Sequence, residues 1–134
     1  MRGAKLRLSI FTGREAKLNK TIFSVLAVNR ALTAYDIRRK VRSRKGLEST
    51  RYSVVNRRVR ILEEARYLER IGFRKTQAGF QAPLYQLTTR AYLALLLEHV
   101  DMEEFIETAN DEQIASVLLT ILSFKGLEKT HRSK

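Results

Sequence analysis

Arginine side chains are the groups in this sequence best suited to chemistry, and the chemistry that they offer is the binding of anions. The stretch RYSVVNRRVRILEEA, residues 51–65, contains four arginines and an asparagine. A guanidinium donates paired hydrogen bonds to a phosphate or to the edge of guanine, and an asparagine can pair with adenine in the same manner. These residues form either an ordinary solvated face of a helix or a surface for a negatively charged partner.

Helical periodicity separates these arginines into different groups. At about 100° per residue, Val55, Val59 and Leu62 fall together and define a buried face. The opposite arc is polar and contains Ser53, Asn56, Arg57, Arg60 and Glu64. Arg58 falls on the apolar side instead, so we expect its stem to pack and its head to reach solvent or to pair with a carboxylate. The pattern predicts that Arg57 and Arg60 face a partner and that Arg58 is structural.

The distribution of charge supports an anionic partner. The chain has 134 residues and a net charge of +12. Residues 1–75 hold 21 of the 26 Lys and Arg but only 6 of the 14 Asp and Glu, a net charge of +15, whereas residues 76–134 carry −3. Nucleic acid is the first expectation for so basic a region. The acidic remainder indicates a separate role for the C-terminal part.

Neither an enzyme nor a metal protein is expected. The sequence has no cysteine, so a thiolate metal site is excluded, and its two histidines, His99 and His131, lie far apart and lack the paired spacing of a histidine ligand set. No Ser/His/Asp set and no GxxxxGK[ST] phosphate loop occurs. The acidic residues within 101–107 lack the spacing of a calcium loop and fit a charged helix start. We therefore predict no catalytic site, no cofactor and no metal.

Hydropathy argues against a membrane or secreted protein. The longest apolar run, residues 91–97, is far short of the ~20 residues that span a bilayer. The N-terminus is basic without the apolar core of a secretory signal. We expect a cytoplasmic protein that associates with the nucleoid.

Capping residues and apolar periodicity predict helices in the first half of the chain. Residues 5–11 alternate in polarity, which suggests a short strand or a surface arm. A capping box at Thr12 and Glu15 then starts a helix that reaches about residue 31, and Thr33 with Asp36 starts a second helix. Helical spacing predicts an inward stripe on each, formed by Leu18, Ile22, Val25 and Leu26 on the first helix and by Ile37 and Val41 on the second. Ser49 and Thr50, at the end of a glycine-containing loop, are expected to cap a third helix over residues 50–65.

The second half of the chain predicts a β-hairpin and further helices. Residues 67–88 have the pattern strand, glycine-containing turn, strand. A fourth helix follows over about 89–100, and two more begin near Asp101 and Asn110, each with carboxylates in its first turn. Gly126 is expected to end the last helix. The fold class is mainly α with a small β-hairpin (α+β).

Two stretches resemble a known family. VVNRRVRILEEARYLER, residues 54–70, resembles the recognition-helix region of bacterial and archaeal winged-helix transcriptional regulators of the PadR, MarR and ArsR-like kind, and YQLTTRA, residues 85–91, is similar to their return strand. Arg66 and Ala91 stand where these proteins commonly have glycine. The resemblance covers about residues 18–92. It implies a winged helix-turn-helix with additional C-terminal helices.

Four regions follow from the resemblance and the charge pattern. They are an N-terminal arm or strand (1–13), a winged helix-turn-helix DNA-binding domain (14–92), C-terminal helices for dimerisation (93–126) and a flexible basic tail (127–134). In such a domain the third helix lies in the major groove of double-stranded DNA, and the hairpin, called the wing, lies on the flanking groove. The expected function is sequence-specific DNA binding by a transcriptional regulator.

The same reasoning assigns the contact residues. Base edges are expected to meet Ser53, Asn56 and Arg57. Phosphates are expected to meet Arg38, Arg39, Arg42, Arg44, Lys45, Arg51, Tyr52 and Arg60. The wing contributes Arg74, Lys75, Gln77 and Gln81. Tyr52 has a second interpretation, which is packing against the hairpin.

The apolar residues of the C-terminal part need a partner surface. They exceed what a small helix leaves exposed, so they pack either on their own core or on a second copy of the chain. We predict a homodimer matched to a palindromic operator, since two-fold symmetry is the usual arrangement in such regulators. Its interface is expected to contain Leu93, Leu96, Leu97, Val100, Ile114, Val117, Leu118, Ile121 and Leu122.

Two other binding functions compete with specific DNA recognition. A non-specific architectural or chromatin protein would use the same basic face, and its affinity would fall steeply with salt for every sequence. An RNA-binding winged helix is less favoured, because aromatic platforms for unpaired bases are missing.

Overall fold

The computed structural model describes residues 8–132, apart from the side chains of residues 121 and 124–132. Within this part, the chain divides into two compact units, residues 8–99 and residues 100–132. The first unit contains α1 (Ala16–Asn29), α2 (Ala34–Val41), α3 (Tyr52–Glu64), β1 (Leu68–Lys75), β2 (Gln81–Leu87) and α4 (Thr89–His99). The second contains α5 (Met102–Thr108) and α6 (Asp111–Arg132). The predicted class, mainly α with a small antiparallel hairpin, is confirmed.

The core of the first unit lies between α1, α2, α3 and the hairpin. The apolar stripes predicted from helical periodicity are buried, and they comprise Leu18, Ile22, Val25 and Leu26 on α1, Ile37 and Val41 on α2, and Val55, Val59 and Leu62 on α3. Burial of an aliphatic side chain of this size contributes about 1.5–3 kcal/mol. These stripes therefore fix which face of each helix points inward and, by exclusion, which face meets solvent.

The hairpin is joined to the helices through backbone pairing. β1 and β2 are antiparallel from Leu68 opposite Leu87 to Lys75 opposite Gln81, with an irregularity between Arg70 and Gly72. Leu32, between α1 and α2, forms a bridge with Tyr85 of β2, and the two N···O distances are 3.0 and 2.8 Å. The hairpin is thus held beside α2, and the order of elements is consistent with a winged-helix domain.

The expected N-terminal strand or arm is a 3-10 turn over Ser9–Phe11 in the residues that the structure describes. Phe11 is buried, and its ring packs edge-on against Phe23 at a centroid distance of 5.1 Å. This segment therefore packs on the hydrophobic core and does not form a strand. The predicted capping box at Thr12 is wrong. The Thr12 hydroxyl donates to the carbonyl of Ser9, and α1 begins at Ala16 without a side-chain cap. Residues 1–7 of the predicted arm lie outside the described residues.

The capping prediction holds for α2 and fails for α3. Thr33 and Asp36 form the expected reciprocal capping box at the start of α2. At α3 the N-cap residue is Arg51, and no side chain caps the helix. The Thr50 hydroxyl instead donates to the carbonyl of Leu47, 2.7 Å away, because the loop closes on itself before the helix begins.

The C-terminal end of α3 is a Schellman motif with an arginine in the left-handed position. The amide of Tyr67 donates to the carbonyl of Leu62 and the amide of Arg66 to that of Glu63. Arg66 has φ 69°, a conformation that costs a residue with a side chain about 1–2 kcal/mol. A left-handed C-terminal residue is the position at which glycine is favoured, which fits the glycine that the resemblance to winged-helix regulators implied here.

Arg66→Gly is therefore expected to stabilise the protein by about 0.5–1 kcal/mol, since relief of the left-handed strain exceeds the added flexibility of the unfolded chain. Urea unfolding followed by circular dichroism measures the change. Arg57→Gly is the matched control, because it makes the same substitution inside a regular helix and is expected to destabilise by about 1 kcal/mol. Equal effects of the two variants would contradict the explanation.

Helix α4 packs on the rest of the first unit through small side chains. Ala91 and Ala94 are buried, and they let α4 approach α1 and β2 closely, whereas Leu93 and Leu96 are 50% and 56% exposed. These two leucines, which the sequence assigned to a dimer interface, therefore do not form the face of α4 that packs on the core. The expected domain boundary after residue 92 falls inside α4, and the boundary between the two compact units follows His99.

The second unit begins its helices as predicted but ends later. Asp101 caps α5, and Asn110 and Gln113 cap α6 reciprocally at 2.9 and 3.1 Å. The backbone of α6 continues through Gly126 to Arg132, so the predicted helix end at Gly126 is wrong and residues 127–132 of the expected tail are helical. An interior glycine costs a helix only about 1 kcal/mol. Residues 133 and 134 lie outside the described residues.

The apolar residues of this second unit remain largely exposed. Val117, Leu118 and Leu122 are 38%, 56% and 62% exposed, and no residue of α5 is buried. Among the residues that the structure describes, no helix is both long and apolar enough to cross a membrane.

Candidate nucleic-acid interface

A cleft of about 1020 Å³ separates the start of α2 and the outer face of α3 from the hairpin. Its walls are formed by residues 33–36 and Arg39 of α2, by Tyr52, Asn56 and Arg60 of α3, and by residues 74–78 of the hairpin. The cleft has this shape because Leu32 ties β2 to the start of α2 while α3 leads directly into β1.

Positive charge dominates this cleft. Five cationic side chains line it, and one carboxylate does so as well: Arg39, Arg60, Arg70, Arg74, Lys75 and Asp36. Concave surfaces lined by charge of one sign focus the electrostatic field and attract ions of the other sign. The cleft is therefore suited to a polyanion such as a nucleic-acid backbone.

The single acid, Asp36, is buried and fully engaged. It is 2% exposed; Oδ1 accepts a hydrogen bond from Arg39 at 3.0 Å, and Oδ2 accepts from Arg74 at 2.6 Å and from the amide of Thr33 at 3.3 Å. Burial raises the pKa of Asp36, but the hydrogen bonds from Arg74 and Thr33 outweigh it and hold this pKa below its ordinary value. The carboxylate stays ionised and links α2 to β1.

A second ion pair fixes the base of the hairpin. Nε of Arg70 lies 2.9 Å from a Glu63 carboxylate oxygen, and its guanidinium lies over the ring of Tyr85 at 5.6 Å. The hydrogen bond that Arg70 donates to the Glu63 carboxylate raises the pKa of Arg70. Burial in turn raises the pKa of Tyr85. The last turn of α3 and the first half of β1 are thereby held together on one side of the cleft.

The three residues predicted to meet bases lie on the exposed side of α3 but not all in one place. Asn56 is half-buried and lines the cleft. Ser53 and Arg57 are exposed on the face of α3 that points to solvent, which we call the crest of α3, and they do not line the cleft. Arg60, predicted to meet phosphate, is exposed and lines the cleft opposite the hairpin.

Arg58 has the structural position that periodicity predicted. Its side chain is 15% exposed, and its Nε lies 3.7 Å from a carboxylate oxygen of Glu15. The arginines of the 51–65 stretch are therefore not equivalent, as expected.

The candidate phosphate contacts on α2 and the loop after it fall into two groups. Some are already engaged: Arg39 with Asp36, Arg38 over the ring of Tyr35 at 6.0 Å, and Arg42 with the carbonyl of Glu48 at 2.7 Å. The exposed remainder comprises Arg44, Lys45 and Arg51. Nε of Arg38 is buried without a hydrogen-bond partner.

Tyr52, for which phosphate contact and packing against the hairpin were both considered, lines the cleft. Its ring lies 6.2 Å from that of Tyr35, and both rings are partly exposed at 43% and 59%. On the wing, Lys75 and Gln77 line the cleft, Gln81 is exposed outside it, and Arg74 is drawn to Asp36. The prediction of Arg74 as a free wing residue omitted this ion pair.

The predicted dimer residues are distributed over both units. On α4, Leu93 and Leu96 are exposed and Leu97 is half-buried; Val100 and Ile114 are half-buried as well. Val117, Leu118 and Leu122 are exposed on α6, and the side chain of Ile121 lies outside the described residues.

Among the residues that line the cleft, sequence reasoning gave no role in the site to Tyr35, to Arg70 or to Asp36 as an ion-pairing group. The capping box located Asp36 in the chain, yet nothing in the local pattern indicated that a strand residue 38 positions later would reach it. The role of Arg70 could not be predicted from the local sequence, because its ion-pair partner Glu63 belongs to another element. No group of three or more potential metal-ligating acidic, histidine or cysteine side chains occurs among the described residues.

Comparison with known proteins yields a likeness of fold. No protein-family model matches the chain, so none supports the resemblance to PadR, MarR or ArsR-like regulators, and no curated protein matches it. Among solved structures, the chain is similar to diamide-treated YodB from B. subtilis, with a TM-score of 0.50 and 16% identity over 77% of this chain and 88% of that one. At this identity the likeness concerns the α+β architecture alone.

Proposed function

We propose that the chain is a transcriptional regulator that binds double-stranded DNA sequence-specifically as a homodimer. In this proposal α2, α3 and the hairpin form a winged helix-turn-helix, and the protein acts at the nucleoid without catalytic activity. The observation that carries the proposal is the cationic cleft beside the exposed face of α3. A helix crest next to a basic groove is the shape that complements a major groove and its flanking phosphate backbone.

The two surfaces have different roles in this arrangement. The crest of α3 enters the major groove, where Ser53 and Arg57 meet base edges and Asn56 reaches from the rim of the cleft. The adjacent phosphate strand lies in the cleft, between Arg60 on one wall and Arg74 and Lys75 on the other. Phosphate contacts fix the register of the protein, and base contacts read the sequence.

The start of α3 provides a further anchor for phosphate. The helix has no side-chain cap, and Arg51 occupies its N-cap position. Arg44 and Lys45 are exposed in the loop that leads to it. Together these groups bind a phosphate on the side of α3 away from the wing.

The homodimer is supported by the exposed apolar residues on α4 and α6. Leu93, Leu96, Leu118 and Leu122 are each at least half exposed. An apolar surface of this kind favours association with a second copy. Two recognition helices related by two-fold symmetry then meet the half-sites of a palindrome.

Selection from random duplexes, followed by a salt titration, tests the proposed function. We expect enrichment of a palindromic sequence that the protein binds about 10³-fold or more tightly than random duplex at physiological salt. The affinity for either duplex should exceed the affinity for single-stranded RNA. Equal affinity for all duplexes with one steep salt dependence would replace the proposal by a non-specific architectural role. A preference for single-stranded RNA would replace it by an RNA-binding function.

A further inference from the structure

One acidic side chain lies among the five cations of the cleft, and its position is the reverse of what simple electrostatics favours. A carboxylate beside a phosphate repels it, and each net positive charge added to such a surface ordinarily strengthens nucleic-acid binding. Asp36 nevertheless lies at the base of the cleft, 2% exposed, with both oxygens engaged. Its charge is therefore directed at neighbouring side chains and not at the space where a ligand would lie.

The partners of Asp36 come from the two walls of the cleft. Arg39 belongs to α2 and Arg74 to β1. Each donates to the carboxylate, yet their side chains as a whole are 70% and 53% exposed to solvent. One oxygen serves each arginine, at 3.0 and 2.6 Å. The carboxylate thus sets the separation of two exposed guanidiniums that belong to elements far apart in sequence.

We propose that Asp36 is a positioning residue for nucleic-acid binding, which holds the wing and Arg74 at the distance from α3 that one phosphate strand requires. This inference rests on the proposed function for its ligand, while the geometry of the wing can be measured without any ligand. Asp36 acts through Arg39 and Arg74 and does not contact the nucleic acid.

Asp36→Asn tests the proposal because charge and positioning predict opposite results. Asparagine keeps an oxygen for the Thr33 amide and removes the charged contacts, and the variant gains one net positive charge. We expect affinity for duplex DNA to fall by about tenfold, for preferred and random sequences alike. Glu103→Gln is the matched control, because Glu103 is exposed on α5, outside the cleft and not among the proposed contacts of α3. It makes the same change of charge and is expected to leave affinity unchanged or raise it.

A double-mutant cycle connects the effect to Arg74. In an Arg74→Gln background, Asp36→Asn is expected to lower affinity by no more than about threefold, since interacting residues give non-additive changes. A full tenfold loss in that background would show that Asp36 does not act through Arg74.

Distance measurement on the free protein separates this proposal from the proposed function. The chain has no cysteine, so Ala78→Cys at the wing tip and Ala27→Cys on the exposed side of α1 give two unique spin-label sites. We expect a narrow distance distribution in the parent protein and a broadened one in both the Asp36→Asn and the Arg74→Gln variants. Arg74→Gln does not touch the capping box of α2, so it gives the same test if Asp36→Asn fails to fold. An unbroadened distribution in a folded variant, or tighter binding by Asp36→Asn, overturns the positioning role. Failure of the parent protein to bind duplex overturns the proposed function alone.

Discussion

Arg57→Ala is expected to lower affinity for the preferred duplex by about 5- to 150-fold, which corresponds to 1–3 kcal/mol, and to relax the preference at one base position. The reason is the location of Arg57 on the exposed crest of α3, outside the cleft, where a guanidinium meets a base edge in the proposed docking. The substitution removes no core contact, so the thermal midpoint should stay near that of the parent protein. Fluorescence anisotropy against the selected duplex and its single-base variants measures the change.

Arg60→Ala gives the contrast that makes this result informative. Arg60 lines the cleft, so its loss is expected to weaken binding to every duplex equally. The slope of log affinity against log salt concentration should become shallower by about one, the amount that one lost phosphate contact predicts. Arg90→Ala is the control for charge alone, because Arg90 is exposed on α4 and does not line the cleft. If Arg57→Ala and Arg60→Ala behave alike, the division between base and phosphate contacts is wrong. If neither has an effect, α3 does not meet DNA.

The double substitution of Leu118 and Leu122 by glutamate is expected to convert a dimer to a monomer and to weaken binding to the palindrome by at least about 100-fold, since two linked half-site contacts become independent. Leu118 and Leu122 lie one turn apart on α6, and both are exposed, so the change places two charges in the proposed interface without removing a buried side chain. Sedimentation velocity measures the oligomeric state, and binding to a single half-site should be little affected.

Glutamates at Ser116 and Thr120 provide the matched control. These exposed residues lie one turn apart on the same helix, and Thr120 is on the side away from Leu118. The control adds the same two negative charges, so any loss of affinity through long-range repulsion appears in both proteins. A parent protein that sediments as a monomer would contradict the dimer, and so would a leucine variant that remains dimeric.

Periodicity was a sound guide wherever burial determined the structure. The stripes on α1, α2 and α3 pointed inward as predicted, and Arg58 was separated from its neighbours by helical geometry alone. Hydrophobic burial contributes on the order of kilocalories per side chain, and it therefore leaves a strong pattern in the sequence.

Features that depend on contacts between distant residues were not predictable in this way. Capping boxes were predicted at both Thr12 and Thr33, but only the second formed, because the burial of Phe11 pulls the first segment into a 3-10 turn. On α4 the small residues Ala91 and Ala94 form the face that packs on α1 and β2, although the leucines of the same helix are more hydrophobic. The pair between Asp36 and Arg74 required the fold itself.

The attachment of the hairpin at the start of α2 also determines how the first unit opens. Leu32 is joined to Tyr85 of β2 by two backbone hydrogen bonds, and Asp36, four residues later, is joined to Arg74 of β1. Lifting the hairpin breaks both connections and leaves a buried carboxylate short of partners, which is costly in free energy. We therefore expect the hairpin and the first turn of α2 to open together as one cooperative unit. The backbone amide of Tyr85 is then expected to exchange its hydrogen with solvent only when that whole unit opens.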